Sequence, residues 1–252
     1  MLNYEVSGEG SPIVFIHGFL ESNTMWEKIL PALSGIKAIA IELSGHGNSP
    51  APQADLSIEQ LAEKVKEILD KERIEVFSIV GHSLGGYVAL EVGKQLGVQR
   101  CEKIVLLNSH PFEDSEIKKE ERTQVARIVT TNKSLFIRQA IPNLFRQAED
   151  HPSAVAQLIE EALLMTSESI ALSTLAMRDR HSAEDVMEMY RENLTVIQGK
   201  HDKLLPFEKM QEITSYYENK FFLVEEAGHM AHIEAFDEVV GLLQLESPKS
   251  KV

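Results

Sequence analysis

Short apolar runs recur along the chain, and each has the length of a buried strand. Uninterrupted runs of β-branched and other apolar residues are typical of strands that are covered on both faces of a parallel sheet. The runs are Ile13 to Ile16, Ala38 to Ile41, Val76 to Val80, Ile104 to Leu107, Leu194 to Ile197 and Phe221 to Val224. Residues Tyr4 to Ser7 could add a further strand at the sheet edge. The pattern predicts a sheet of about six to eight strands.

Helical patterns separate these runs. The clearest spans Ser57 to Glu72, where apolar residues recur on one face and Ser57 and Gln60 form a capping-box pair. Strands that alternate with helices favour an α/β fold in which a mostly parallel, doubly wound sheet is flanked by helices on both faces.

Residues 108 to 193 form a connection that is far longer than one crossover requires. Helical patterns fill it, broken at Pro142 and Pro152. They span roughly Glu116 to Thr130, Leu135 to Ala140, Ser153 to Met165, Ser169 to Arg178 and Ala183 to Arg191. We therefore expect one α/β core made of residues 1–107 and 194–246, a helical lid inserted at 108–193, and a disordered polar tail at 247–252.

Composition narrows the classes of partner. The chain has 252 residues and a formal net charge of −14, which argues against binding to nucleic acid or to an anionic membrane. Its single cysteine, Cys101, allows neither an internal disulfide nor a structural zinc site. Neither a leader pattern nor a long apolar span occurs. We expect a cytoplasmic protein that acts on a small molecule without a metal or cofactor, while the oligomeric state stays open.

The segment Gly81-His82-Ser83-Leu84-Gly85 carries the strongest chemical signal. It follows the run Val76 to Val80 and precedes Tyr87 to Leu96, where apolar residues have helical spacing. A Gly-x-Ser-x-Gly pattern between a strand and a helix is typical of a nucleophile elbow, in which glycines let the backbone pass closely around an exposed serine. The pattern predicts that Ser83 is a nucleophile.

A serine hydroxyl needs a base to take its proton and an acid to orient that base. Asp202 and His229 each follow one of the last two predicted strands. Because the carboxyl ends of parallel strands meet at one edge of a sheet, Ser83, Asp202 and His229 are expected to converge there. The competing candidates are His201 and His232 for the base and Asp179 and Asp185 for the acid.

The tetrahedral intermediate of acyl transfer also needs rigid N–H donors around its oxyanion. The backbone amide of Leu84, at the start of the helix after the elbow, is one candidate. The turn His17-Gly18-Phe19 follows the first apolar run and makes the Phe19 amide the second candidate.

These motifs together resemble the α/β-hydrolase superfamily, in its lidded serine hydrolase or esterase branch with a His-Gly-x oxyanion motif. A further match is Gly45-His46-Gly47-Asn48-Ser49, although Glu42-Leu43-Ser44 stands where relatives usually have Asp-x-Pro. The resemblance implies that Ser83 attacks a carbonyl, that His229 acts as base and then as acid, and that an acyl-enzyme is hydrolysed. An ester or thioester is the expected substrate.

Other members of that superfamily differ at identifiable positions. Haloalkane dehalogenases and epoxide hydrolases have an aspartate where this chain has Ser83, which excludes them. The lyase of menaquinone synthesis tends to have arginine where Tyr87 stands, and carbon–carbon bond hydrolases usually have asparagine where His82 stands. A carbon–carbon bond hydrolase or lyase on the same triad remains the alternative, and a non-catalytic binding protein is the alternative from another class.

The substrate pocket is expected to be mostly apolar and to be built largely by the insertion. Its candidate residues are His17, His82, His110, Phe112, Phe136, Leu164, Met165 and Met177.

Overall fold

One mixed sheet forms the centre of the molecule. The computed structural model describes residues 1–52, 55–205 and 207–247. In this part of the chain the strands are β1 (Tyr4–Ser7), β2 (Ser11–Ile16), β3 (Ile36–Ile41), β4 (Phe77–His82), β5 (Cys101–Leu107), β6 (Leu194–Gly199) and β7 (Lys220–Val224). They form a 7-stranded sheet in the order β1-β3-β2-β4-β5-β6-β7. Only β1 pairs antiparallel, so the predicted doubly wound, mostly parallel sheet is confirmed, including its edge strand.

Helices cover both faces of the sheet. They are α1 (Ile58–Lys71), α2 (Leu84–Leu96), α3 (Glu116–Ala140), α4 (Pro152–Leu164), α5 (Ser167–Asp179), α6 (Glu184–Tyr190), α7 (Phe207–Tyr216), α8 (Ala231–Glu234) and α9 (Phe236–Glu246). Successive side chains of β2 point to opposite faces. Val14 and Ile16 pack in the core beneath α1 and α2, whereas Ile13 and Phe15 pack with Trp26 and α9 on the other face. Because both faces are buried, the strands read as continuous apolar runs.

Helix α1 shows how local sequence sets an element's start. Ser57 Oγ accepts a hydrogen bond from the Gln60 amide at 3.2 Å, and Gln60 Oε1 accepts one from the Ser57 amide at 3.0 Å. This reciprocal pair satisfies two amides that the first helical turn leaves free. The apolar face of α1, including Leu61 and Val65, is buried on the sheet.

The segment between β5 and β6 is helical, and it packs over the carboxyl edge of the sheet through its own apolar cluster. That cluster joins insertion residues such as Ile137 and Phe145 to Leu20 and Met230 of the core. Helix α3 is kinked at Asn132, whose φ and ψ are −145° and 58°. The kink falls where the sequence pattern breaks between Thr130 and Leu135.

The C-terminal end of the described chain is held against α9. Ser247, the first residue of the predicted disordered tail, is buried and donates to the Leu243 carbonyl at 2.8 Å, so the prediction is wrong there. Residues 248–252 lie outside the described residues. Within the described ranges, no helix has the length and apolar character needed to cross a membrane.

Candidate active site

Ser83 sits in a sharp turn between β4 and α2. Its φ and ψ are 49° and −114°, a strained region that non-glycine residues occupy only when the surrounding structure enforces it. The turn requires glycine on either side. A Cβ on Gly81 would lie 2.3 Å from the Gly85 carbonyl oxygen, and one on Gly85 would lie 2.2 Å from the Ile16 carbonyl oxygen. The geometry projects Ser83 at the carboxyl edge of the sheet, as a nucleophile elbow does.

A continuous hydrogen-bonded chain links Ser83, His229 and Asp202. Ser83 Oγ lies 2.9 Å from His229 Nε2, and His229 Nδ1 lies 2.8 Å from Asp202 Oδ2. Because the carboxylate can only accept, Nδ1 carries the proton and Nε2 is left to accept from the serine hydroxyl. Burial alone would raise the pKa of Asp202, but the electrostatic attraction of the adjacent His229 imidazole and the hydrogen bonds that Asp202 accepts hold it below its ordinary value. Asp202 is therefore ionised.

Asn108 supports the acid, and sequence analysis did not single it out. Its side-chain amide donates to Asp202 Oδ2 at 3.0 Å and to the Gly228 carbonyl at 3.1 Å. The Leu204 amide donates to the other oxygen, Oδ1, at 2.8 Å. Both carboxylate oxygens are thus held in place. One sequence signal could have identified Asn108. It is a polar residue directly after β5, just as Asp202 and His229 follow their own strands.

None of the competing candidates for the base or the acid belongs to the hydrogen-bonded chain of Ser83, His229 and Asp202. His201 is exposed, and Asp179 is paired with Arg178 at 2.7 Å. Asp185 lies 2.8 Å from Lys94. His232 is buried against His82, with a ring-centroid distance of 5.0 Å, and neither of its ring nitrogens has a hydrogen-bond partner among the described residues.

Of the two expected oxyanion donors, Leu84 directly follows Ser83, and Phe19 lines the same cavity as Ser83. Leu84 is the first residue of α2, so its amide points out of the helix N-terminus, where the helix dipole favours negative charge. Phe19 follows β2, the strand that pairs with β4 in parallel. Among the hydrogen bonds of the described residues, the Phe19 and Leu84 amides have no acceptor. Both amides are thus available to an incoming oxygen.

A cavity of about 510 Å³ opens onto Ser83 and His229 beneath the insertion. Of the predicted pocket residues, His82, His110, Phe112, Phe136 and Met177 line it. Further lining residues that the sequence analysis did not single out include Leu20, Val125, Thr174 and Leu205.

The structure corrects three of the pocket expectations. Leu164 lies at the end of α4 and is 86% exposed, and Met165 is buried in the apolar cluster of the insertion. The His17 side chain is buried away from the cavity, and its Nε2 accepts from the Leu43 amide at 3.0 Å. Helical spacing identified α4 as amphipathic but carried no information on which face meets the cavity.

His110 forms a neutral part of the cavity wall. Its Nδ1 accepts from the Phe112 amide at 3.2 Å, so its Nε2 carries the proton and donates to the Tyr87 hydroxyl at 2.9 Å. Burial lowers the pKa of His110 to about 3. This residue therefore contributes shape and a hydrogen bond rather than charge.

Charged side chains lie at the insertion end of the cavity. Asp114 accepts from Arg122 and, at 2.8 Å, from Arg180, whose guanidinium lies 4.1 Å over the Tyr87 ring centroid. These pairs order the wall between Tyr87 and α3. Within the described ranges, no group of three His, Cys, Asp or Glu side chains could hold a metal ion.

Sequence comparison finds a curated relative that matches nearly the whole of this chain. The chain is 27% identical over 247 residues to the dihydrolipoyllysine-residue acetyltransferase component of an acetoin cleaving system from Pseudomonas putida, covering 94% of the chain and 63% of that protein. It spans 31% to 63% of the length of the first curated relatives that it matches.

Solved structures share the whole fold. A thermophilic esterase from Thermogutta terrifontis superposes with a TM-score of 0.90 at 24% identity, covering 97% of this chain and 92% of that one. The enol-lactonase from Burkholderia xenovorans superposes with a TM-score of 0.88 at 22% identity, covering 97% and 95%. The model of the alpha/beta hydrolase fold family matches residues 11–236, and the chain therefore belongs to that family.

Proposed function

We propose that this protein is a serine hydrolase that cleaves a small to medium ester or thioester through an acyl-enzyme on Ser83. The observation that carries the proposal is the Ser83–His229–Asp202 chain, with contacts of 2.9 and 2.8 Å, whose Ser83 and His229 line a largely apolar cavity. A serine next to a neutral, oriented imidazole can lose its proton as it attacks a carbonyl.

The proposed reaction has two half-reactions. Ser83 Oγ attacks the carbonyl carbon while His229 Nε2 takes the hydroxyl proton, and the amides of Phe19 and Leu84 stabilise the oxyanion. The intermediate collapses, and the leaving alcohol or thiol takes the proton from His229. Water then attacks the acyl-enzyme with His229 as base, which releases the acid and restores Ser83.

The cavity supports a substrate with an apolar portion. Phe112, Phe136 and Met177 lie along its wall, and a volume of about 510 Å³ suits a small molecule rather than a folded partner. The helical insertion acts as the lid in this proposal, because its residues, among them Phe136 and Met177, line the cavity that holds Ser83. The esterase and the enol-lactonase that share the fold cleave esters and a cyclic ester by name, which supports acyl transfer to water as the reaction class.

The test uses p-nitrophenyl acetate and butyrate, together with thioesters and lactones of graded size. We expect Ser83→Ala to lower kcat on the order of 10⁶-fold, since the triad acts as a unit. Ser215→Ala, at an exposed position of α7, is the matched control and is expected to leave kcat unchanged. A fluorophosphonate probe should label Ser83. Labelling at another residue, or full turnover by the Ser83→Ala variant, would overturn the proposal.

A further inference from the structure

Glu21 and His82 form a buried pair next to the triad. The exposed fractions of the two residues are 4% and 1%. Glu21 Oε2 lies 2.8 Å from His82 Nδ1 and also accepts from the Gly18 amide at 2.6 Å. Gly18 lies in the predicted oxyanion turn, one residue before Phe19, and His82 directly precedes Ser83. The pair thus joins the oxyanion turn to the nucleophile elbow.

The second ring nitrogen of His82 extends the link to the catalytic histidine. His82 Nε2 lies 3.1 Å from the backbone carbonyl oxygen of His229. A carbonyl oxygen accepts only, and the Glu21 carboxylate, already bound by the Gly18 amide, accepts as well. With Glu21 ionised, both nitrogens of His82 donate, and the ring is then an imidazolium paired with an anionic carboxylate.

The groups around His82 are consistent with this charge state. Burial alone would lower the pKa of His82, but the Glu21 carboxylate outweighs it and raises that pKa. Burial would likewise raise the pKa of Glu21, yet the charge of His82 lowers it to about 2. Burial lowers the pKa of His17, and that of His232 to about 3, so both of these neighbouring rings are neutral.

The catalytic groups also face this pair. The rings of His82 and His229 have centroids 5.2 Å apart, and Asp202 adds its own negative charge nearby. The positive charge of His82 and the negative charge of Glu21 compensate each other. An unpaired carboxylate at Glu21 would oppose the oxyanion that forms beside Phe19, whereas the ion pair leaves the turn close to neutral.

We propose that Glu21 and His82 are positioning residues, whose ion pair holds the oxyanion turn, the Ser83 elbow and the His229 loop in one register. This inference rests on the proposed serine hydrolase function. Glu21 acts through the Gly18 amide and His82 acts through the His229 carbonyl. Loss of the pair should therefore impair transition-state stabilisation and leave ground-state binding in the cavity nearly intact.

The first arm of the test measures kinetics with p-nitrophenyl butyrate. Glu21→Gln keeps an oxygen in place but removes the charge. We expect kcat to fall on the order of 100-fold, as for small misplacements of catalytic groups, with KM near the wild-type value. The inhibition constant of a boronic acid, which mimics the tetrahedral intermediate, should rise in parallel with the loss of kcat. Glu21→Asp, which restores the charge, should recover part of kcat.

Glu161→Gln is the matched control for that arm. Glu161 on α4 accepts from the Ser22 hydroxyl at 3.2 Å and from the Thr24 hydroxyl at 2.6 Å, so it holds the neighbouring segment without touching the triad. Its replacement should leave kcat and the boronate affinity unchanged. If Glu21→Gln keeps the wild-type kcat, the positioning role is wrong.

The second arm is independent of activity. In the wild-type protein, a ring ¹⁵N NMR titration should show both nitrogens of His82 protonated up to a higher pH than in a free imidazole, with the signals assigned by their loss in His82→Gln. A ring that loses its proton at or below the pH of a free imidazole overturns the ion pair. This arm decides the pair even if Glu21→Gln fails to fold. If the wild-type protein hydrolyses no ester, the proposed function fails, and the spectrum still confirms or refutes the pair.

Discussion

The side-chain amide of Asn108 donates to the same oxygen of Asp202, Oδ2, that accepts from His229 Nδ1, at 3.0 and 2.8 Å. Asn108→Gly removes this donor without straining the backbone, since the φ of 46° at this position suits glycine. A hydrogen bond to a charged group contributes about 1.5 kcal/mol, so we expect kcat for p-nitrophenyl butyrate to fall about tenfold with little change in KM. An unchanged kcat would show that Leu204 and His229 suffice to hold Asp202.

The glycines of the elbow give a prediction about stability. Gly85→Ala places a Cβ against the Ile16 and His17 carbonyl oxygens, at 2.2 and 2.6 Å, and backbone atoms cannot move aside cheaply. We expect the free energy of unfolding, from urea denaturation, to fall by about 3 kcal/mol or more.

Gly241→Ala is the matched control for that substitution. Gly241 lies within α9, and a Cβ there meets no atom within 4 Å outside its chain neighbours and the backbone of its own helix. Because alanine favours a helix interior over glycine, this variant should gain up to about 1 kcal/mol. Equal effects of the two substitutions would contradict the close-packed elbow.

The sheet and the positions of Ser83, Asp202 and His229 at its edge could be predicted from the sequence, because those features depend on local pattern. A buried parallel strand is a continuous apolar run, and a polar residue directly after it must lie at the carboxyl edge. Asn108 follows β5 and so also lies at this edge, but it was not singled out because a lone asparagine after a strand is typical of a turn. Its contact with Asp202 depends on β5 and β6 being neighbours, which the sequence does not state.

The pocket was harder to predict for a related reason. Leu164 and Phe136 both have helical spacing within the insertion, yet Phe136 lines the cavity and Leu164 is 86% exposed. Periodicity shows that a helix has an apolar face, but the packing of α3 against α5 and α4 decides which faces of these helices are turned toward the cavity. Glu21 was missed because its partners, His82 and Gly18, become neighbours only when β2 and β4 pair.

His232 links stability to pH. Burial lowers its pKa from 6.5 to about 3. Between these values the unfolded chain binds a proton that the folded protein does not, so folding stability is lost as pH falls from 6.5 toward 3. His232→Leu removes this effect. We compare the free energy of unfolding of His232→Leu with that of the wild-type protein at each pH. From the titration alone, this difference should shift in favour of the variant by about 2 kcal/mol between pH 8 and pH 5.

The comparison for that prediction is His181→Leu, at an exposed position just after α5. Urea denaturation of both variants and the wild-type protein at pH 5 and pH 8 gives the difference. If His232→Leu shows the same pH dependence as the wild-type protein, His232 is charged in the folded state, contrary to its burial against His82.

Val125 on α3 provides a test of which part of the cavity holds the substrate chain. It lines the cavity from α3, a helix of the insertion that carries none of the triad residues, so Val125→Trp should fill part of the cavity on the insertion side. We expect kcat/KM for p-nitrophenyl octanoate to fall about tenfold, because each displaced methylene loses about 0.8 kcal/mol of burial, whereas kcat/KM for the acetate should be unchanged. Leu164→Trp is the control, since Leu164 is exposed at the end of α4, and it should affect neither substrate. If kcat/KM for the acetate falls as much as kcat/KM for the octanoate, the substitution disturbs the catalytic groups. If Val125→Trp keeps the wild-type kcat/KM on both substrates, the acyl chain does not occupy the part of the cavity next to Val125.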